Sequence, residues 1–179
     1  EDLSPTLLLF TQQKTIAQAA SAEKGIRVKT VPDQRWARRD IKSICLLPQV
    51  IAKRAAKAEG CGEAWMLDGD YVTEGASSTA YVITRDGKII TRANSEVTLP
   101  GCTRLAVLAL AREAELTIEE RPFTLAEAMD AEEICLTSAS NFIAPIVAID
   151  GKAIGAGTPG PIYRRLRALY IEHARKTAI

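Results

Sequence analysis

The chain has one histidine, His173, and its four cysteines, Cys45, Cys61, Cys102 and Cys135, stand far apart with no Cys-x-x-Cys pair. A zinc site therefore lacks ligands, and free thiols in a reducing cytoplasm are the expectation. Aromatic residues are scarce at 5%, too few for the stacking platforms that nucleic-acid bases need. An excess of either charge is also missing, with 23 Lys plus Arg against 22 Asp plus Glu and a net charge of +1. No global field then draws the chain to nucleic acid or to an anionic membrane, and any charged ligand must be caught locally. Apolar runs such as Leu7 to Phe10 and Leu46-Leu47 fall far short of the roughly 20 residues that cross a bilayer, so no membrane partner is expected. The opening residues, Glu-Asp-Leu-Ser-Pro, form no secretory signal. The lack of an initiating methionine leads us to expect a processed or truncated product.

What remains is ordinary globular material, 47% hydrophobic and 25% charged over 179 residues, enough for one good core. After Pro5, the apolar run Thr6–Thr11 suits a buried strand. A polar, alanine-rich connector then leads to Ile26–Val31, where apolar and basic residues alternate as in a half-exposed strand. Residues 51–59 read as a helix, with Ile51, Ala55 and Ala58 on one face and Gly60 as its C-terminal stop. Because Pro48 cannot sit deep in a helix, the helix should start near Leu47, leaving Lys42 just outside it. Strands are expected over 63–67, 71–74, 79–84 and 88–91, with Asp68-Gly69-Asp70 and Arg85-Asp86-Gly87 as hairpin turns, so that they form an antiparallel meander. A helix follows Pro100-Gly101 over 103–115 with Thr103 as its cap, then a strand over 118–122 and a short helix opened by the Thr124-x-x-Glu127 capping box. Strands over 133–137 and 143–149 and an Arg-rich helix over about 162–176 complete the chain. Hairpins mixed with crossovers indicate a mixed α/β, α+β-like class: a curled mixed sheet or pseudo-barrel with flanking helices, in a single domain.

Three segments carry chemistry. In Arg35-Trp36-Ala37-Arg38-Arg39-Asp40-Ile41-Lys42, four cations crowd one acid. The segment is either a solvated basic loop or an anion site whose lysine is kept neutral by its neighbours or by burial, as an amine nucleophile requires. Thr73-Glu74-Gly75-Ala76-Ser77-Ser78 ends a strand on a carboxylate followed by glycine and hydroxyls; Glu74 is either a polar turn residue or a ligand. Leu99-Pro100-Gly101-Cys102-Thr103-Arg104 brings free backbone N–H groups to a helix N-terminus, which can bind an anion, although most such termini bind nothing.

Taken in this order, with Arg121-Pro122-Phe123 and Leu136-Thr137-Ser138 behind them, these motifs resemble those of the fold-type IV pyridoxal-phosphate enzymes, and among them the D-amino-acid aminotransferases. The match spans nearly the whole chain. The resemblance implies a homodimeric cytoplasmic enzyme that uses pyridoxal 5'-phosphate to move an amino group between an amino acid and a 2-oxo acid. It implies that Lys42 bonds the cofactor and carries protons during transfer, and that Glu74 pairs with the pyridine nitrogen and keeps it protonated. The backbone amides of Cys102 and Thr103 and the Thr103 hydroxyl would hold the phosphate. Arg35 would stand near the cofactor, and Ser78 would belong to the strand end that meets the pyridine.

Two departures stand out. Ala139 takes the place of a phosphate-binding hydroxyl residue after Thr137-Ser138, a loss that Ser140 is the candidate to make good. The family's N-terminal domain, with its phosphate-binding arginine and carboxylate trap, is not in the chain, so strand faces such as those of Val28 and Val82 are expected to be left apolar and exposed. Branched-chain and R-amine transaminases and aminodeoxychorismate lyases share the same motifs, and an inactive cofactor-binding fragment is a further alternative. Gly155-Ala156-Gly157-Thr158-Pro159-Gly160 has the spacing of a dinucleotide fingerprint but no strand after it, and reads as a turn into the last helix. On that helix His173 reads as solvated, and Arg164, Arg165 and Arg167 as an exposed face or oligomer contact.

Overall fold

The computed structural model describes residue 4 and residues 6–177. Its sheet uses β1 (Ile26–Pro32), β2 (Glu63–Asp68), β3 (Tyr71–Gly75), β4 (Thr79–Ile83), β5 (Ile89–Thr91), β6 (Ile118–Glu120), β7 (Glu133–Ser138), β8 (Phe142–Ile149) and β9 (Lys152–Ala153). The helices are α1 (Ala20–Lys24), α2 (Leu47–Ala58), α3 (Cys102–Glu113), α4 (Leu125–Met129) and α5 (Pro161–Thr177). The strand order is β3-β2-β1-β8-β7-β4-β5-β6, with β9 on β8. β1 is parallel to both β2 and β8, while β2–β3, β4–β5, β4–β7 and β7–β8 are antiparallel. The expected mixed, curled sheet with flanking helices is thus what forms.

The curl closes on itself. The free edge of β3 is covered by the segment after β6: Val72 N donates to Phe123 O at 3.1 Å and Leu125 N to Asp70 O at 2.8 Å. From the end of β5, Arg92 reaches Val72 O at 3.2 Å. Inside the curl, Val28, Trp65, Val72, Val82, Ile90, Phe123, Leu136 and Ile146 form one apolar cluster. Trp65 and Phe123 meet edge to face at 6.2 Å. Full burial of side chains of this size contributes about 2–3 kcal/mol each. Period-2 alternation sends Ala80 and Val82 inward, while Tyr81 and Ile83 pack outward beneath α3 and α5 with Val107, Leu108, Tyr163 and Leu166.

Several expectations are corrected. Residues 6–16 have no regular structure, and Leu7 to Phe10 are 78–83% exposed; both edges of β1, where a strand could dock, are taken by β2 and β8. The meander is broken, because β3 and β4 share only the Gly75–Ser78 bridge and β4 pairs with β7 instead. Val28 and Val82 are 0% and 1% exposed, inside the closed sheet and not on an open face. On α2 the buried residues are Ala52 and Ala56, set against Ala64 and Met66, and Ile51 points outward. Gly101 is the N-cap of α3, which puts Thr103 inside the first turn. Arg167 is buried, and donates to the carbonyls of Asn141, Ile143, Ile16 and Ala17. Other boundaries hold: α2 begins at Leu47, α4 opens with the Thr124–Glu127 capping box, and the glycine-rich turn leads into α5, where His173 is exposed.

α5 starts on a carboxylate from far along the chain, since buried Glu133 accepts from Ile162 N at 3.0 Å and Tyr163 N at 2.8 Å. A Cβ at Gly160 would collide with that carboxylate. Glu133→Ala leaves two helix donors unmet and is expected to lower unfolding free energy by about 2–3 kcal/mol, read from denaturant midpoints.

Candidate functional site

The chain leaves β1 at Pro32, and Asp33 N donates at once to Leu67 O at the end of β2, at 2.7 Å. This turns Arg35 toward β3. Arg35 Nε and Nη2 grip Asp33 Oδ1 and Oδ2 at 2.9 and 2.7 Å, while Nη1 bonds Glu74 Oε1. None of these three side chains is more than 6% exposed. The Thr73 hydroxyl donates to Asp33 Oδ2 at 2.7 Å. Arg39 Nε stands 3.4 Å from the same oxygen, and Arg39 Nη1 stands 3.3 Å from Asp68. Burial raises both carboxyls, but with opposite outcomes. The hydrogen bonds of Arg35 and Thr73 prevail at Asp33 and hold it below the usual carboxylate range. At Glu74 the pull of Arg35 only partly offsets burial, so its carboxyl stays above that range.

The basic segment is therefore not a solvated loop of free cations. Arg35 and Arg39 are engaged as described, and Arg38 takes Asp40 in a two-pronged pair at 3.0 and 2.8 Å. The crowd of positive charge expected around Lys42 is thus already met by carboxylates. Lys42 itself is exposed, lies just ahead of α2, and has no ion-pair partner among the described residues. Its loop is tied to the next piece of the site through Arg39 N, which donates to Glu96 O at 2.7 Å.

That piece is the approach to α3. Leu99 N donates to Glu74 at 3.2 and 3.3 Å from its two oxygens, and two residues later Gly101 caps α3 without any side-chain bond. The first-turn amides of Cys102 and Thr103 have no carbonyl behind them in the helix. No hydrogen bond among the described residues engages the Thr103 hydroxyl. From Leu99 N to Cys102 N the chain spans three residues, at most about 10 Å. A buried carboxylate and the positive end of a helix are thus held a short distance apart.

A Cβ on Gly101 would lie 3.4 Å from Thr79 Oγ1, and Thr79 pairs with Thr137 across β4 and β7. The turn after β7 therefore lies close to the start of α3. In it, Ser138 accepts from Asn141 N and Nδ2, both at 3.1 Å, and Ser140 is exposed with its hydroxyl 3.4 Å from that of Ser138. Ser78 is differently placed. Its hydroxyl and that of Ser77 both donate to the buried carboxylate of Glu63 at 3.1 Å, fixing the turn that follows Glu74. A Cβ on Gly75 would meet Ser78 Oγ and displace it from Glu63. Arg35, Glu74, Cys102 and Thr103 are thus joined by direct bonds or short chain segments, Lys42 and Ser140 stand on adjoining loops, and Ser78 acts through the turn.

Sequence reading missed Asp33 and the Leu99 amide, and took Arg39 only as one of the cations crowded near Lys42. A signal was present for the first: Asp33 stands two residues before Arg35, the same i,i+2 spacing of opposite charges as Arg38 and Asp40. The Leu99 contact is a backbone donor and leaves no trace in residue type.

The family model for Amino-transferase class IV matches residues 1–149. The chain belongs to this family. D-alanine aminotransferase of Staphylococcus haemolyticus is 40% identical over 145 residues, 81% of this chain and 51% of the relative. Among solved structures, the branched-chain amino acid aminotransferase of Escherichia coli superposes with a TM-score of 0.79 at 26% identity, covering 86% of this chain and 53% of that one. The branched-chain enzyme of Thermobaculum terrenum in its PLP (holo) form gives 0.77 at 29%, covering 86% and 52%. This class IV chain spans about half the length of the relatives it matches.

Because the Glu74 carboxyl is raised in the folded state, proton linkage makes its ionisation a cost to folding. Relative to Glu74→Gln, the wild type is expected to lose stability as pH climbs from about 4, the unfolded value for glutamate, through the raised native value, and then to level off. Denaturant midpoints of both proteins across that range, without cofactor, check the sign.

Proposed function

We propose that this chain is the cofactor-binding part of a pyridoxal 5'-phosphate-dependent aminotransferase that moves an amino group between a D-amino acid such as D-alanine and a 2-oxo acid such as 2-oxoglutarate. The observation that carries the reading is the short tie between buried Glu74 and the uncapped start of α3. It suits a ligand with a cationic ring nitrogen at one end and a phosphate at the other. The donor set fits that group. Glu74 Oε2 accepts one N–H, at 3.3 Å, and has capacity for another donor. The Cys102 and Thr103 amides and the Thr103 hydroxyl are available to phosphate oxygens, and Ser140 lies on the turn that follows the strand end facing them. When bound, pyridoxal phosphate supplies an electron-accepting ring that stabilises negative charge at the amino acid's α-carbon. With that group bound, Glu74 would hold the proton on the ring nitrogen, Arg35 would steady Glu74, Ser78 would steady the turn behind it, and Lys42 Nζ would hold the cofactor and be the base that moves the proton at the α-carbon.

The D-alanine preference draws on the relatives at 34–40% identity that carry that name. A branched-chain transaminase is the second reading, favoured by the solved neighbours. The cytoplasmic homodimer of our proposal draws on free cysteines and on apolar side chains open at the start of α2, where Ile44 is 97% and Leu47 69% exposed. None of the helices among the described residues is long and apolar enough to cross a membrane.

Borohydride reduction of the holoprotein followed by peptide mapping is expected to tag Lys42; a tag on Lys53 or Lys57 would overturn the assignment. Glu74→Gln is expected to slow the half-reaction with D-alanine about 100-fold and to leave the thermal midpoint within about 4 °C. Unchanged rates with a lowered midpoint would make Glu74 a purely structural residue.

A further inference from the structure

Arg35 lies between two buried carboxylates but treats them unequally. Asp33 takes its Nε/Nη2 edge and also its backbone N–H at 3.1 Å, whereas Glu74 receives Nη1 alone. Asp33 is itself fully enclosed, at 0% side-chain exposure, held by the Thr73 hydroxyl at 2.7 Å, with Arg39 Nε at an ion-pair distance of 3.4 Å. A two-pronged grip fixes the plane of a guanidinium as well as its position. With both carboxylates ionised, Asp33, Arg35 and Glu74 carry one net negative charge, which Arg39 offsets only on the side of Asp33. The division of bonds leaves that charge on the side of Glu74, where among the described residues Oε2 accepts from the Leu99 amide alone.

We propose that Asp33 is a positioning residue for the ring-nitrogen site: by holding the Nε/Nη2 edge of Arg35 it limits that guanidinium to one contact with Glu74 and keeps the Glu74 charge available to a cationic ring. This rests on the pyridoxal-phosphate reading above. Without the Asp33 charge, Arg35 has one carboxylate left to pair with. It turns its two-pronged edge onto Glu74 and competes with the ring nitrogen for it.

The test uses the full-length holoenzyme. Asp33→Asn is expected to weaken pyridoxal phosphate binding and to lower kcat, each about tenfold, while KM for D-alanine stays within about twofold. It is also expected to shift the ratio of the cofactor's long- and short-wavelength absorption bands at fixed pH, because that ratio reports the charge around the ring. Thr73→Val removes one bond to Asp33 and leaves every charge in place, and is expected to shift the band ratio in the same direction by less. A wild-type band ratio and wild-type cofactor affinity in folded Asp33→Asn, with a lower thermal midpoint as the only change, would overturn the proposal. If Asp33→Asn does not fold, a wild-type ratio in Thr73→Val overturns it instead. Borohydride tagging of Lys42 in the wild-type preparation reports on the functional reading separately.

Discussion

A strand at the edge of a sheet presents unpaired N–H and C=O groups, and how β3 disposes of them governs the rest of this molecule. Among the described residues, no further strand joins β3. Instead, the stretch from Phe123 to Leu125 bonds Val72 and Asp70, and the sheet has to curl for that stretch to arrive there. Trp65 and Phe123 then face one another across the interior, which is filled by side chains. A filled interior leaves chemistry to the loops and strand ends around it. The exit from β1, the end of β3, the start of α3 and the turn after β7 are brought together in this way, each fixed by backbone bonds that owe nothing to a ligand.

The site joins two electrostatic opposites by different physical means. The negative end is a side chain taken out of water, with the charge of Arg35 divided between it and Asp33. The positive end is main chain, the unmatched amides of a helix whose cap contributes no side-chain bond. Side chains can be exchanged by single substitutions, whereas the helix end depends on Pro100-Gly101 keeping its turn. The two halves therefore respond differently to sequence change, although Leu99 connects them directly.

Legibility followed range along the chain. The start of α2 at Leu47, the capping box at Thr124 and the turn before α5 depend on neighbours within a few residues, and Pro48, Glu127 and Gly157 declare them. The buried face of α2 was misjudged because Ile51 is the more hydrophobic residue, yet close approach to Ala64 and Met66 requires the small Ala52 and Ala56. Arg167 looked like one of a surface row of arginines. Its burial depends on carbonyls about 25 and 150 residues away, which no local pattern encodes. For the same reason Lys42, Glu74 and Thr103 could be picked out by motif, while the network that holds Glu74 in place could not: Asp33 and Glu74 are far apart in sequence and are linked through Arg35 and through the Thr73 hydroxyl.

Arg167 carries a consequence for the order in which the chain assembles. Its side chain holds Ile16 and Ala17 to the start of β8, and Tyr163 of the same helix holds Ala22. β1, at the centre of the sheet, has β8 as one of its two neighbours. During vectorial synthesis the earliest central strand must therefore wait for more than a hundred later residues before its second edge is covered and its leading segment is clamped. Such long-range closure folds slowly and leaves a strand edge open to other chains in the interval. The last helix thus acts as a latch on the segment ahead of β1: a ribosome that stops before β8 releases a sheet with its first strand only half enclosed, and one that stops before Tyr163 releases a sheet whose leading segment is unclamped.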